Sequence, residues 1–331
     1  MIATTSAVPL NVNSRDESSA IIAPASSSGA MITATANAVS VVTSNTVSGD
    51  QYNYQTTYIF NPLPAGTSSS SGTSPSTSFN DAPLGLFSAH FTGRQDELAQ
   101  MMNALKVVRG DVPTRFGLYA GPGVGKTQLT LALAKESFTQ GRYKCIFWIT
   151  ATTTEKLYQG FSKLLHLVGH PDHSAPEESV RLTSARRWLE EYASGKWLLV
   201  LDNVVRETVE FLREHLPRKN NHGNILFTTR TKNVATALAN ASGEQHEILE
   251  LRMPNKEDAT RLLLGHFMDG EIDGDESKVI EIVKCVGFLP LAIAQAAAYI
   301  KETGSTLDGL LSIYNSEHKI DVGFTADVLP V

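Results

Sequence analysis

Cysteine is nearly absent: Cys145 and Cys285 are the only two in 331 residues, so no disulfide framework can hold the chain. Both lie in apolar stretches and read as small core residues of a protein kept in a reducing compartment. Long apolar runs are missing too; none approaches the ~18–20 residues that a membrane-spanning helix needs. The N-terminus, Met-Ile-Ala-Thr-Thr-Ser, has no basic flank followed by an apolar segment, which argues against a secretory signal. Nor is there an excess of positive charge. Lys and Arg number 28 against 34 Asp and Glu, a net charge of −6, which argues against a binder that lives on nucleic-acid phosphates. These absences predict a cytoplasmic globular protein with no membrane span and no nucleic-acid partner.

Charge is scarcest at the front. Residues 1–80 carry only Arg15, Asp16, Glu17 and Asp50, and the first lysine of the chain is Lys106. Ser, Thr and Ala fill 38 of those 80 positions, leaving too few large apolar side chains to offset the entropy of ordering the backbone. Residues 1–85 are therefore expected to be a disordered tail that includes a Ser-rich linker from Thr67 to Phe79. Within it, residues 49–60 (GDQYNYQTTYIF) combine low charge with β-prone aromatic residues. That composition suits either a sticky spacer or cross-β assembly.

From Phe87 onward the pattern becomes globular, and the 42% apolar content of the whole chain allows a sizeable core. Helical spacing of Leu98, Met101, Met102 and Leu105 predicts a helix over 96–108. Strands are predicted at Phe116–Ala120, Cys145–Thr150, Trp197–Leu201, Ile225–Thr229 and Ile248–Leu251, with helices between them. Alternating strands and helices imply a three-layer α/β/α domain around a five-stranded parallel sheet, assigned to residues 86–253. After Pro254 the strands stop, and a small all-α subdomain is assigned to residues 254–315, followed by a tail at 316–331.

The sharpest chemistry lies at Ala120-Gly121-Pro122-Gly123-Val124-Gly125-Lys126-Thr127, the pattern G-x-x-x-x-G-K-[ST] with Ala at its first position. Glycines let several backbone N–H groups turn inward on phosphate oxygens, and the helix that follows points its positive end at the same place. Lys126 would reach the β- and γ-phosphates, and the Thr127 hydroxyl would ligate Mg²⁺. Asp202 ends the apolar strand Trp197–Leu201 and is the candidate acid that holds Mg²⁺. Asn203 follows it as a turn residue or the N-cap of a helix over 204–215, and an amide cannot accept a proton at neutral pH. Hydrolysis is therefore expected to be slow, as in a switch. Three histidines, His166, His170 and His173, sit close in sequence, but no cysteine or carboxylate pattern completes a zinc site there.

Three more segments join these two: Phe91-Thr92-Gly93-Arg94, Gly223–Arg230 (GNILFTTR) and Gly287–Ala292 (GFLPLA). In this order the five motifs resemble the NB-ARC domain of the STAND class of signal-transducing P-loop NTPases, in wording closest to fungal examples. The resemblance implies an ADP/ATP switch with Mg²⁺ that oligomerises with itself or with NLR-type proteins in immunity or cell-death signalling. By the same resemblance Phe91, Gly93 and Arg94 border the adenine and ribose, and Arg230, with Thr229 beside it, reads the γ-phosphate. Pro290 packs on the base, and Gly121, Gly123, Val124, Gly125, Lys126, Thr127 and Gln128 form the loop and first helical turn around the phosphates. Lys126, Asp202 and Arg230 would carry any catalysis. Ala120 departs from the family's first glycine and Asn203 from its frequent second aspartate. The resemblance also implies a following winged helix with a Met-His-Asp motif, which residues 316–331 are expected only to begin. The readings left open are a switch, a turnover ATPase that remodels a partner, and a truncated, non-switching remnant of a larger NLR.

Overall fold

The computed structural model describes residues 30–35, 38–43, 78–108, 110–267 and 275–324. It divides into two compact units, one up to Ser74 and the other from Pro75 onward. In the first, β1 (Ala30–Thr35) and β2 (Ala38–Thr43) pair antiparallel, with Met31 opposite Val42 and Thr33 opposite Ser40. The tyrosine-rich patch at 49–60 lies outside the described residues.

The second unit opens with a two-residue strand, β3 (Phe79–Asn80), then α1 (Gln95–Ala104), β4 (Thr114–Tyr119) and α2 (Lys126–Thr139). It continues with β5 (Cys145–Thr150), α3 (Thr154–Leu167), α4 (Glu178–Glu190), β6 (Trp197–Val204) and α5 (Val209–His215). Then come β7 (Gly223–Thr229), α6 (Lys232–Ala239) and β8 (Glu247–Glu250). Four helices follow: α7 (Lys256–Leu264), α8 (Glu276–Cys285), α9 (Pro290–Thr303) and α10 (Leu307–Phe324).

All six strands of this unit are parallel, in the order β3-β5-β6-β7-β4-β8. The inner strands read as continuous apolar runs because both faces are covered. Trp197, Leu199 and Leu201 point to one face with Phe147 and Phe227, under the apolar sides of α3, α4, α5 and α6. Leu198 and Val200 point to the other with Phe116, Leu118 and Ile146, under α1 and α2. Each fully buried Leu, Ile or Phe contributes about 1.5–3 kcal/mol relative to exposure. A third core, including Leu263, Ile282, Val283, Ile293 and Leu310, joins α7 to α10.

The sheet has one strand more than the five expected. Phe79 pairs with Cys145 and sets its ring edge-on to Phe147 at 5.4 Å. The next residue but one, Asp81, is buried, pairs with Lys163 at 2.5 Å and accepts the Trp148 N–H. A two-residue strand at the end of a Ser-rich run has no periodicity to betray it, and it places sheet residues ahead of position 86.

Asn203 is neither a turn residue nor a helix cap. Strand β6 runs on to Val204 through an irregularity between Leu201 and Val204, and Asn203 takes φ 61° inside it. Helix α5 starts only at Val209. Of the three histidines singled out, His170 is used locally: its Nδ1 accepts the Asp172 N–H at the start of a short helical turn.

Candidate functional site

The site lies where parallel sheets usually bind ligands, off the carboxyl ends of the central strands. Strand β4 delivers Ala120, whose N–H donates to the Thr229 carbonyl at 3.3 Å, and the chain then wraps through residues 121–125 into α2. Gly123 and Gly125 hold φ of 76° and 104°, left-handed values that strain any other residue. A Cβ added at Gly121 or Gly125 would meet no atom within 4 Å, so the loop borders open space at both residues. No side chain caps the start of α2, so its first N–H groups are left for an outside acceptor.

Lys126 curls back over this loop and donates to the carbonyls of Ala120 at 2.9 Å and Gly121 at 2.8 Å. Its ammonium is held below its usual pKa, first by burial and then by the nearby charge of Arg230, with Asp202 opposing. The Lys126 ammonium thus sits on the glycine loop within the electrostatic reach of one further cation, Arg230, and one part-buried carboxylate, Asp202. The donor set fits a polyphosphate.

The carboxylate is pinned from several sides. Thr127 Oγ1 lies 3.2 and 3.3 Å from the two oxygens of Asp202, and the Thr228 hydroxyl donates to Oδ1 at 2.6 Å. The Asn203 N–H donates in turn to Thr228 Oγ1 at 2.8 Å, so the bulge in β6 brings this amide onto the same hydroxyl. Burial pushes the Asp202 pKa up, while the hydrogen bonds from Thr228 and Thr127 and the charge of Lys126 work against that rise. A carboxylate next to the Thr127 hydroxyl is the oxygen donor set Mg²⁺ takes.

The residues assigned by resemblance divide into two groups. Thr229, expected beside the nucleotide, turns its hydroxyl to the Val204 carbonyl at 2.8 Å and is buried in the sheet. Period-two alternation along β7 gives the facing position to Thr228, which the sequence reading missed. Arg230 stands exposed just past the strand end. Phe91 packs against the core on the α1–α2 side of the sheet. Gly93 takes φ 70°, and a Cβ there would come within 2.8 Å of the Asp258 side chain on α7. Arg94 pairs with Glu97 at 2.8 Å and reaches the Val124 carbonyl at 3.4 Å.

Pro290 begins α9, and the next residue places this helix directly on the loop. The Leu291 N–H donates to the Gly123 carbonyl at 3.2 Å, and the Leu289 and Leu291 side chains close over Gly123. The turn into α9 passes through Gly287 and Phe288, both left-handed at φ 60° and 59°. Phe288 is a costly residue for that conformation.

A second contact joins the segment before α1 to the turn that follows α7. The rings of His90 and His266 lie tilted with centroids 4.1 Å apart, and His266 Nε2 is buried with no hydrogen-bond partner among the described residues. Burial, then the charges of His90 and Lys301, hold the His266 pKa below its usual value. Between that lowered pKa and the unfolded value of about 6.5, the unfolded chain binds more protons than the folded one. Stability from this contact is therefore full above pH ~6.5 and lost as pH falls toward the folded pKa. In thermal melts from pH 7.5 to 5.5, the wild type should lose more stability than His266→Phe; equal slopes would reject the assignment.

A parallel α/β/α sheet with this glycine loop, lysine, threonine and strand-end aspartate defines a P-loop NTPase. The chain belongs to the NB-ARC family: the NB-ARC domain matches residues 94–271, more than half of its length. NB-ARC modules are nucleotide-binding members of the STAND class. A curated relative, a nucleotide-binding leucine-rich repeat (NLR)-like protein of the fungus Hyaloscypha variabilis, is 28% identical over 244 residues, 68% of this chain. The match spans only 24% of that relative's length. Among solved structures, a Walker-type ATPase of Pyrococcus abyssi aligns with TM-score 0.49 and 12% identity over 70% of this chain and 73% of its own. A STAND protein with a tetratricopeptide repeat sensor from Pyrococcus horikoshii aligns with TM-score 0.40 and 17% identity, covering 62% of this chain and 30% of its own. Among the described residues, no helix is long and apolar enough to cross a membrane.

Proposed function

We propose that this chain is an adenine-nucleotide switch in which a P-loop domain (86–253) holds ADP or ATP with Mg²⁺ and a helical subdomain (254–315) reads which one is bound. The observation that carries this reading is the seat of α9 on the phosphate loop, through the Leu291 N–H and the Gly123 carbonyl. A helix bonded to the loop itself is biased by whatever the loop holds, and a ligand shifts a conformational equilibrium only through such differential contacts. Lys126 grips the phosphates, Thr127 and Asp202 hold Mg²⁺, and Arg230, at the tip of β7, senses the γ-phosphate. When bound, the metal would neutralise phosphate charge. Asn203 supplies an amide in place of a second acid, which supports slow hydrolysis and regulation by exchange. The likeness to an NLR-like protein supports a place in cytoplasmic immune or cell-death signalling, with assembly among copies or with NLR-type partners.

The test is to denature the purified chain, identify the nucleotide released and measure its amount, then size the native protein with ADP and with a non-hydrolysable ATP analogue. Near-stoichiometric ADP and a larger species with the analogue are expected. Rapid multiple turnover without a change in size would establish the turnover ATPase instead. Bound nucleotide with no change in size or turnover would mark a non-switching remnant.

A further inference from the structure

Gln128 lies in the first turn of α2, but its side chain is engaged away from the phosphate loop. Its Oε1 accepts the Ser88 N–H at 2.8 Å and its Nε2 donates to the Leu86 carbonyl at 2.9 Å. Further along the same segment, Arg94 reaches the Val124 carbonyl. Between these ties Phe87 and Phe91 lean together at 5.3 Å, and the His90 N–H donates to Ser88 Oγ. Residues 86–94 thus form a strap fastened at both ends to the P-loop domain, with His90 held between the fastenings.

What His90 meets belongs to the α7–α10 lobe. Its ring lies 4.1 Å from that of His266, with the planes tilted by 39°. An imidazolium must donate from both nitrogens, yet His266 Nε2 is buried and faces no acceptor among the described residues. Beside burial, the influences on His266 are both basic: His90 from the strap, and Lys301 from α9, which also lies over the Phe267 ring at 5.6 Å. The carboxylate that α7 turns to the strap, Asp258, lies against Gly93 and is paired with Arg261 at 2.7 Å. A proton on His266 therefore sets like charges against each other across the contact between the lobes.

We propose that this imidazole pair is an acid-sensitive latch between the P-loop domain and the α7–α10 lobe, closed while both rings are neutral and parted when His266 takes a proton. Once away from the strap, His266 returns toward an ordinary imidazole pKa of about 6.5, so opening takes up a proton and grows more favourable as pH falls. Between pH 7.5 and 5.5 one such group shifts the opening equilibrium by up to about tenfold. The proposed switch reading adds a consequence: the same opening releases the ADP that the closed lobes hold.

Opening can be read without any nucleotide. The Leu291 amide donates across the lobes to the Gly123 carbonyl, so its hydrogen exchange in the ligand-free full chain reports their separation. Wild type and His266→Phe are compared at each pH, which cancels the intrinsic pH dependence of exchange. Protection in wild type relative to the variant should fall several-fold from pH 7.5 to 5.5, within the roughly tenfold limit set by one proton. A ratio that stays constant overturns the latch and leaves the switch reading standing. So does a ratio that rises, as a carboxylate partner for the imidazolium would make it do. Release of a fluorescent ADP analogue then tests the consequence, and should be several-fold faster at pH 5.5 in wild type but not in His266→Phe. Opening at Leu291 with release unchanged supports the latch and overturns the switch reading instead. Should His266→Phe fail to fold, His266→Gln, neutral at every pH, takes its place in both comparisons.

Discussion

Lys126→Ala should emerge from purification with its nucleotide gone and its fold intact. In wild type the ammonium is buried at a cost, which its lowered pKa records, and it bonds only to the Ala120 and Gly121 carbonyls. Removing it relieves that desolvation and the repulsion from Arg230, so the ligand-free melting temperature should change little. Nucleotide binding loses a charge-assisted hydrogen bond to phosphate, about 1.5–3 kcal/mol or roughly 10–100-fold in affinity. A ligand at 100 times its Kd stabilises by about 2.7 kcal/mol, and that increment should disappear from the variant. Thermal melts with and without ADP read both halves. A variant that melts early without ligand would make Lys126 a structural residue first, and one still stabilised by ADP would displace it from the phosphate site.

The second large effect is expected at Thr228→Val, a change of nearly constant volume. The Thr228 hydroxyl donates to Asp202 Oδ1 and accepts the Asn203 N–H, so valine leaves a part-buried carboxylate short of a donor and a backbone amide without an acceptor. Orphaning such groups costs about 2–4 kcal/mol in all. The sign of the pH dependence follows from Asp202, whose folded pKa already lies above its unfolded value. Such a group stabilises the fold fully below the unfolded pKa and loses that contribution as pH rises through the folded one. Losing the donor raises the folded pKa further. The variant's deficit should therefore be largest near neutrality and shrink as pH falls through the Asp202 titration. Denaturant unfolding at several pH values measures this, and a Mg²⁺ titration of nucleotide affinity should shift to higher metal. Thr228→Ser, which keeps the hydroxyl, should restore both; failure to do so would leave β-branched packing as the role of Thr228.

The parts of the site legible in the sequence are those that sit on contiguous residues or carry a sharp local signature. Residues 120–127 announce the phosphate loop because glycine, lysine and threonine have no other common reason to fall at that spacing. Asp202 is legible as the carboxylate that follows five apolar residues. Thr228 is not, because two adjacent threonines look alike until the pairing of β6 with β7 decides which faces Asp202. Asn203 misleads for a related reason: an amide after a strand suggests a cap, and only continued pairing to Val204 reveals the bulge. The His90–His266 ring contact joins residues far apart in the chain by tertiary packing alone. Gln128 is legible as part of the loop turn, yet the job of its side chain depends on where residues 86–88 pass, and nothing in their composition states it.

The turn before α9 bears on how firmly the helices grip the loop. Holding an aromatic residue in a left-handed conformation costs about 1–3 kcal/mol, and Phe288 stays there only while its surroundings require it. Part of the attraction between α9 and Gly123 is therefore offset within the turn itself. On the proposed switch reading, that offset lowers the free energy a ligand must supply to part α9 from the loop.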